Sequence, residues 1–280
     1  MSSGTTCAIV PVKVLAHAKR RLSSVLPDAA RQRLVLAMLQ DVLAALAGAR
    51  SIDWLAVVTA DQRVAALAQG HGGSVVPEPR PDFGPELAPE LGTHGRPAGS
   101  DLRPQLPREA RPEALAEPHP ASLQASRQQS GFAALNAAIA SGLAYACSRG
   151  ARRALVLPAD VPLTTSSELQ SLIQSRGEQA GITLAPSHDN NGTNGLLLAP
   201  PLAIAPCYGP GSYLRHLSCA MARRVDVNVV HLEGLARDID EPDDLVRLLG
   251  DAEARKRYAF IAPHVAAARK LQPTPQGNGQ

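Results

Sequence analysis

Aromatic residues are scarce in this sequence: Phe, Trp and Tyr make up only 3% of the 280 residues, although 45% are hydrophobic. The core must therefore be built from Ala, Val, Leu and Ile. The 28 Lys and Arg residues nearly balance 25 Asp and Glu, and the net charge of +3 is too slight to indicate a basic surface. Without such a surface or an aromatic stacking platform, nucleic acid is not an expected partner.

Cysteine is also rare, with four widely scattered residues and no CxxC pair. This pattern favours reduced thiols over disulfides or a zinc site. The N-terminus has no basic segment followed by a long apolar core, and we expect no stretch to reach the roughly 18 apolar residues of a membrane span. We therefore expect a soluble, cytoplasmic protein without a membrane partner. The histidines show no metal-ligand spacing, so each is expected to be an ordinary surface or core residue.

Apolar runs and helical periods alternate along the first part of the chain. Strands are predicted over residues 7–12, 54–61 and 74–76, and helices over 28–49 and 61–73. This alternation is typical of a parallel sheet with helices on both faces.

The alternation breaks at residues 78–130, which are crowded with Pro, Gly and charge. Such a segment cannot bury much surface, so we predict a mobile insertion, with a lid or a partner-docking arm as the alternative. Regular structure resumes with a helix over 131–150, and residues 263–280 are expected to form a C-terminal tail. The predicted organisation is one α/β domain over residues 1–262, interrupted by this insertion.

Asp160 lies where an apolar strand, "ALVLP", comes to its end. Thr165 and Glu168 have the spacing of a capping box, which predicts that a helix starts shortly afterwards. An acid at this position could simply begin a turn. The C-terminal ends of strands are, however, also where open α/β sheets bind their ligands.

A second acidic cluster is "LARDIDEPDD", in which Asp238 and Asp240 alternate along an extended stretch and so share one face. Together with Asp160 these two acids could hold Mg²⁺, which takes one or two protein carboxylates and fills its other positions with water and phosphate. The acids that follow, residues 241, 243 and 244, instead suit the N-terminus of a helix.

The segment "PVKVLAHAKRRLS" places Lys13, Lys19 and Arg21 after the first strand, where this class of fold holds phosphates. It contains neither GxxxxGK[ST] nor GxGxxG. Side-chain cations would therefore have to neutralise a bound phosphate group. The alternative is a solvated, basic helix end.

Small hydroxyl residues lie beside glycines in "GTNG" and "YGPGSYLRH". Thr193 and Ser212 could bind a carboxylate or a phosphate there, since glycine turns and helix N-termini expose backbone amides to anions. A cationic loop, a pair of acids and an anion site together indicate nucleotidyl transfer. An acceptor phosphate is largely dianionic at neutral pH, so this reaction needs no catalytic base.

Several segments in this order resemble the 2-phospho-L-lactate guanylyltransferase family (CofC/FbiD), over roughly residues 8–250 outside the insertion. The segments are "PVK" with "AKRRLS", "AMLQDVL", "ALNAAI", "LPADVPL", "GTNGLLL", "YGPGSYLRH" and "DIDEPDDL". The resemblance implies a nucleotidyltransferase fold of the glycosyltransferase-A type, with three layers and a mainly parallel central sheet. It also implies transfer of GMP from GTP to a small phosphorylated three-carbon acid, with Mg²⁺ and release of pyrophosphate, in coenzyme F-420 biosynthesis.

The resemblance also assigns roles to individual residues. It implies metal ligation by Asp160 and Asp240, and phosphate contacts by the three cations of the basic loop. It implies nucleotide contact by Asn136, and contact with the acceptor's carboxylate by Thr193, Gly209 and Ser212. A homodimer and hand-over of the labile GMP conjugate to the next enzyme are further expectations.

Two positions depart from the family pattern: Gly195 replaces a frequent alanine, and Tyr208 replaces a frequent phenylalanine. If both flank the acceptor, they add room and a hydroxyl partner, which favours 3-phospho-D-glycerate over phosphoenolpyruvate or 2-phospho-L-lactate. The alternatives are another nucleotidyltransferase, such as a molybdopterin guanylyltransferase, and a non-catalytic GTP-binding module. The first would carry a glycine-rich loop that this chain lacks.

Overall fold

The computed structural model of the chain describes residues 5–79 and 120–271. Within these residues seven strands form one sheet. The strands are β1 (Thr6–Pro11), β2 (Trp54–Val58), β3 (Ser74–Val76), β4 (Arg153–Val156), β5 (Gly181–Pro186), β6 (Thr193–Ala199) and β7 (Val227–Val229).

The strand order is β3-β2-β1-β4-β6-β5-β7, and every strand except β6 runs in one direction. The predicted mainly parallel α/β sheet is therefore confirmed, with β6 as its antiparallel member. Only residues 187–192 connect β5 to β6. A connection this short makes a hairpin, because a parallel crossover needs a dozen or more residues.

Helices cover both faces of the sheet, as the alternation of elements predicts. They are α1 (Asp28–Gly48), α2 (Gln62–Gly70), α3 (Pro120–Ser148), α4 (Ser166–Gln174), α5 (Ser212–Ala222), α6 (Pro242–Gly250), α7 (Ala252–Arg257) and α8 (Ala262–Leu271). Residues of β1 alternate between two apolar clusters: Ala8 and Val10 join one with α1, α4 and α6, and Cys7 and Ile9 join the other with α3. The result is a three-layer core.

The part of α3 over residues 129–148 is long and apolar enough to cross a membrane by length and composition alone. The sequence-based expectation that no stretch reaches this limit is therefore wrong. The helix nevertheless packs on the sheet, where Ile139 and Leu143 are buried. A Cβ on Gly142 would lie 2.5 Å from Cγ2 of Ile9, so the helix approaches β1 closely. These contacts are those of a core helix.

The chain divides into two compact units, residues 1–79 with 132–280, and residues 80–131. Residues 80–119 lie outside the described part of the chain, so the mobility expected of the insertion over 78–130 stays a prediction. Its last residues belong to α3, since no Gly or Pro interrupts residues 121–130.

At the other end, the expected tail from residue 263 is helical up to residue 271. Val265 is buried against the core there, which explains why α8 forms. Residues 272–280 lie outside the described part of the chain.

Candidate active site

The loops that carry the predicted catalytic residues leave the sheet at one edge. β1 and β4 are parallel neighbours, so the loops after them, which hold Lys19 and Asp160, emerge side by side. The third segment joins them through its backbone, since the amide of Ile239 donates to the carbonyl oxygen of Asp160 at 3.0 Å. The capping box of Thr165 and Glu168 is present as predicted and begins α4 just after Asp160.

Lys19 lies between the two predicted metal ligands. Its Nζ is 2.5 Å from Oδ2 of Asp160 and 2.6 Å from Oδ1 of Asp240. Burial alone would lower the pKa of Lys19, but the two carboxylates outweigh burial and raise the pKa well above its usual value. Lys19 is therefore a fixed cation, and Asp160 and Asp240 converge on a single positive charge.

Two carboxylates that converge on one cation also suit a divalent metal. Mg²⁺ prefers oxygen ligands and commonly binds through one or two protein carboxylates. The side chains of Asp160 and Asp240 are 27% and 46% exposed, whereas that of Lys19 is only 9% exposed. The acids are thus reachable from solvent on the side that Lys19 leaves open, and the donor set fits Mg²⁺.

Asp238 has a different partner from the other two acids. Its Oδ1 accepts a hydrogen bond from Nδ2 of Asn194 at 3.1 Å. Burial, followed by the nearby Asp160 and Asp240 charges, raises its pKa. In the described ranges no group of three or more His, Cys, Asp or Glu side chains is arranged to hold a metal. Asn194 thus holds one oxygen of the Asp238 carboxylate, and the role of Asp238 as a third ligand stays a prediction.

The other two predicted cations lie outside the contact between Lys19 and the acids. Lys13 lies just beyond β1, where partial burial lowers its pKa and the charge of Glu78 opposes that shift. Arg21 places Nη1 3.7 Å from Oε1 of Glu241, and both side chains are largely exposed. Of the three predicted cations, Lys19 is thus the one that contacts both acids.

Sequence reasoning missed Arg31, which supports the loop that carries Lys19. Lys19 has a φ of 51°, a left-handed conformation uncommon for a residue with a side chain. Nη1 of the buried Arg31 donates to the Lys19 carbonyl oxygen at 3.4 Å. Its signal in the sequence was an arginine at helical spacing from Val35 and Met38, on the buried face of α1.

The predicted acceptor residues come together at the start of α5. Ser212 is the first residue of the helix, and its amide donates to the carbonyl oxygen of Gly209 at 3.0 Å. Gly209 has a φ of 133°, which only glycine adopts readily. Thr193 lies at the start of β6. Its Oγ1 is 3.0 Å from Nδ1 of His216, which lies on the same helix as Ser212.

His216 is the second functional candidate that the sequence reasoning missed, because the histidines were expected to be ordinary residues. It is fully buried, and its Nε2 accepts a hydrogen bond from the amide of Cys207 at 3.0 Å. Its signal was its position four residues after Ser212, one helical turn along the same face of α5.

Asn136 is used by the loop before α5. Its Nδ2 donates to the carbonyl oxygen of Tyr208 at 3.0 Å, and its Oδ1 accepts from the amide of Tyr208 at 2.8 Å. Both polar ends of the side chain therefore hold the loop that contains Gly209. The expected contact of Asn136 with the nucleotide stays a prediction.

The reasoning that favoured 3-phospho-D-glycerate is wrong in both its parts. A Cβ on Gly195 would lie 2.9 Å from Leu172 and 3.0 Å from Leu235, so this glycine faces the core and adds no room to a pocket. Tyr208 is 92% buried, and its hydroxyl has no hydrogen-bond partner among the described residues. This hydroxyl lies in the apolar cluster under α3 and α5.

The sequence of this chain is similar to those of known proteins over most of its length. Residues 6–83 and 122–271 match the family described as "Guanylyl transferase CofC like". The chain is 33% identical to a phosphoenolpyruvate guanylyltransferase of Sphaerobacter thermophilus, over 89% of this chain and 94% of the relative. It is 34% identical to the enzyme of the same name from Rubrobacter xylanophilus, over 90% and 98%. A 2-phospho-L-lactate guanylyltransferase of Methanothermobacter thermautotrophicus is 26% identical, over 91% and 89%.

Solved structures agree on the fold. A structure described as a nucleotide-diphospho-sugar transferase, from Desulfovibrio desulfuricans G20, superposes with a TM-score of 0.62 at 14% identity, over 96% of this chain and 99% of that one. A 4-diphosphocytidyl-2C-methyl-D-erythritol synthase gives a TM-score of 0.50 at 15% identity, over 90% and 100%. At these identities the likeness extends to the nucleotidyltransferase fold and no further.

Proposed function

Because the chain belongs to the family of CofC-like guanylyl transferases, we propose that it transfers GMP from GTP to phosphoenolpyruvate and releases pyrophosphate. The observation that carries this proposal is the contact of Asp160 and Asp240 with one cation at the edge of the sheet where β1 and β4 end. A pair of acids that share a cation beside a basic loop is suited to a metal-bound triphosphate. A protein that only senses GTP would not need this pair.

We assign Asp160 and Asp240 as the residues that would hold Mg²⁺, which when bound would neutralise charge on the triphosphate. Lys13, Lys19 and Arg21 then supply the remaining positive charge around the phosphates. An oxygen of the acceptor phosphate attacks the α-phosphorus of GTP, the bond from that phosphorus to the bridging oxygen breaks, and pyrophosphate leaves. The acceptor phosphate is already largely ionised at neutral pH, so catalysis rests on positioning and on neutralisation of charge.

The acceptor's carboxylate is assigned to Thr193, Gly209 and Ser212. Both hydroxyl residues are buried, and Ser212 is the first residue of α5, at the helix end that favours anions. Phosphoenolpyruvate is preferred because two relatives at 33–34% identity carry that name. With Gly195 and Tyr208 facing the core, no feature of the described residues favours an additional hydroxyl on the acceptor.

The proposal includes the setting of the reaction. We place the enzyme in the cytoplasm, in coenzyme F-420 biosynthesis, with GTP and a small phosphorylated acid as its partners. Hand-over of the GMP conjugate to the next enzyme and assembly as a homodimer are parts of the same proposal.

An acceptor competition assay tests the proposal. The protein is incubated with GTP, MgCl₂ and equimolar phosphoenolpyruvate, 2-phospho-L-lactate and 3-phospho-D-glycerate, and the GMP conjugates are separated by mass. We expect the phosphoenolpyruvate conjugate to dominate and to form with one pyrophosphate per conjugate. A dominant conjugate of either other acid would overturn the assignment of the acceptor, and no conjugate at all would overturn GMP transfer. Replacing GTP with ATP is the control for the base.

A further inference from the structure

His216 links three separate parts of the candidate acceptor site. The residue lies on α5, one turn after Ser212, and has no exposed surface. Its Nδ1 is 3.0 Å from Oγ1 of Thr193 on β6, and its Nε2 is 3.0 Å from the amide nitrogen of Cys207 in the preceding loop. Its ring also meets Tyr208 edge-on, with the ring centroids 4.9 Å apart.

These partners determine which ring nitrogen carries the proton. The backbone amide of Cys207 can only donate, so Nε2 must accept and cannot be protonated. Burial, followed by the charge of Arg215, lowers the pKa of His216 to about 4, so the ring is neutral at pH 7. A neutral ring has one proton, which therefore lies on Nδ1.

The tautomer in turn determines the role of the Thr193 hydroxyl. Because Nδ1 donates to Oγ1 of Thr193, this oxygen acts as the acceptor in that hydrogen bond. The hydroxyl proton of Thr193 is then left to be donated, and among the described residues His216 is the one side chain that bonds this hydroxyl. A hydroxyl held in this way can donate to an anionic oxygen.

We propose that His216 is a positioning residue that holds the Thr193 hydroxyl as a hydrogen-bond donor to the carboxylate of the acceptor acid. The inference rests on the proposed function, because it takes Thr193 as an acceptor-binding residue. It extends that function to a residue that does not itself touch the acceptor. The same ring fixes the distance between β6 and the loop that contains Gly209.

Two substitutions separate the two hydrogen bonds of the ring. In His216→Asn the side-chain amide nitrogen lies near the position of Nδ1 and can still donate to Thr193. In His216→Gln the longer side chain reaches the position of Nε2 and can serve only the amide of Cys207. The matched pair of substitutions at Thr193 is Thr193→Val, which removes the hydroxyl, and Thr193→Ser, which keeps it.

The measurement is KM for phosphoenolpyruvate and for GTP, with kcat, together with calorimetric binding of phosphoenolpyruvate to each variant. We expect His216→Gln and Thr193→Val each to raise the acceptor KM and Kd by about 10- to 100-fold, the usual effect of losing one hydrogen bond to a charged group. KM for GTP stays within twofold of the wild-type value. His216→Asn and Thr193→Ser restore most of the acceptor affinity, and the double variant His216→Gln/Thr193→Val is no weaker than either single variant.

The inference is overturned if His216→Gln and His216→Asn bind the acceptor equally, or if the GTP and acceptor KM values rise together, since a merely structural role predicts either result. Should His216→Gln fail to fold, the comparison of Thr193→Val with Thr193→Ser still decides whether the hydroxyl donates to the acceptor. A wild-type protein that forms no GMP conjugate with any acid would overturn the proposed function, and the inference with it. If the wild type forms the conjugate and His216→Gln binds the acceptor as tightly as the wild type, the inference alone is overturned.

Discussion

Lys19 and Asp240 are 221 positions apart in the sequence, and their charged atoms are 2.6 Å apart in the structure. The contact closes a triangle with Asp160, whose carboxylate lies 2.5 Å from the same ammonium. Three loops that are distant in the sequence thus meet at the ammonium of Lys19. The two acids that would hold a metal thus already share the ammonium of Lys19.

Replacing Lys19 with Met tests whether the ammonium and the metal compete for the two acids. Removal of the ammonium leaves two neighbouring carboxylates without a cation, so we expect saturating MgCl₂ to raise the melting temperature of the variant more than that of the wild type. Turnover should fall by about 100-fold or more, because a cation at the phosphates is lost. The readouts are thermal shift with and without MgCl₂ and the rate of pyrophosphate release.

The control for this variant is Lys256→Met, which removes an exposed lysine paired with Glu253 on α7. It should match the wild type in both measurements. An equal MgCl₂ shift in Lys19→Met and wild type would mean that lysine and metal do not compete for the acids.

Asp160→Asn and Asp240→Asn should each lower kcat by about 100-fold or more, because Lewis-acid stabilisation of this kind contributes several kcal/mol. Both variants should also lose the MgCl₂-dependent thermal shift. Asp238→Asn should have a smaller effect, since an amide oxygen can still accept from Asn194. The exposed Asp243 in the first turn of α6 provides the matched control as Asp243→Asn.

Both reporters, pyrophosphate release and melting temperature, are needed here. A variant that lost activity while keeping the full MgCl₂ shift would contradict the assignment of that acid as a metal ligand.

The sequence was sufficient to predict the parallel strands and the helices on both faces, because apolar runs and helical periods are local properties of the chain. The family motifs in turn located the acid pair and the residues around α5. The antiparallel β6 was not predicted, since its direction depends on the short connection over residues 187–192. The roles of Arg31 and His216 were missed for a related reason. Arg31 contacts the backbone carbonyl of Lys19, and His216 contacts the backbone amide of Cys207. A sequence pattern does not indicate contacts of side chains with backbone groups of this kind.

Tyr208→Phe and Gly195→Ala test whether either residue influences the choice of acceptor. The Tyr208 hydroxyl is buried without a partner among the described residues, so its removal should leave the protein equally stable or more stable, by up to about 1 kcal/mol. Ala at position 195 would crowd Leu172 and Leu235 and should cost about 1 kcal/mol or more. Neither change should alter the ratio of conjugates in the competition assay. A larger share of the 3-phospho-D-glycerate conjugate in the wild type than in these variants would mean that Tyr208 or Gly195 favours that acceptor.

The protonation of His216 should make stability depend on pH in a defined window. Its pKa is lowered by burial from the ordinary value of 6.5 to about 4, so between these pH values the unfolded chain binds a proton that the folded protein does not. Stability should therefore rise with pH across this window, by about 3 kcal/mol in total, and level off above pH 6.5. His216→Asn has no titrating ring, so the difference between its unfolding free energy and that of the wild type isolates the contribution.

The other groups that face this ring do not change charge in the same window. Arg215, the preceding residue on the same helix, acts on the ring through its positive charge. Burial raises the pKa of Cys207 to about 11 and also raises that of Tyr208, so both remain neutral. Urea unfolding at intervals from pH 4 to pH 7.5 measures the two curves. The two curves should converge toward pH 4 and separate as the pH rises. Only in the wild type does the unfolded chain lose a proton from residue 216 over this range, and this loss favours the folded state. Parallel curves would show that His216 has the same pKa in the folded and unfolded protein, which would contradict the burial of a neutral ring on which its role at Thr193 depends.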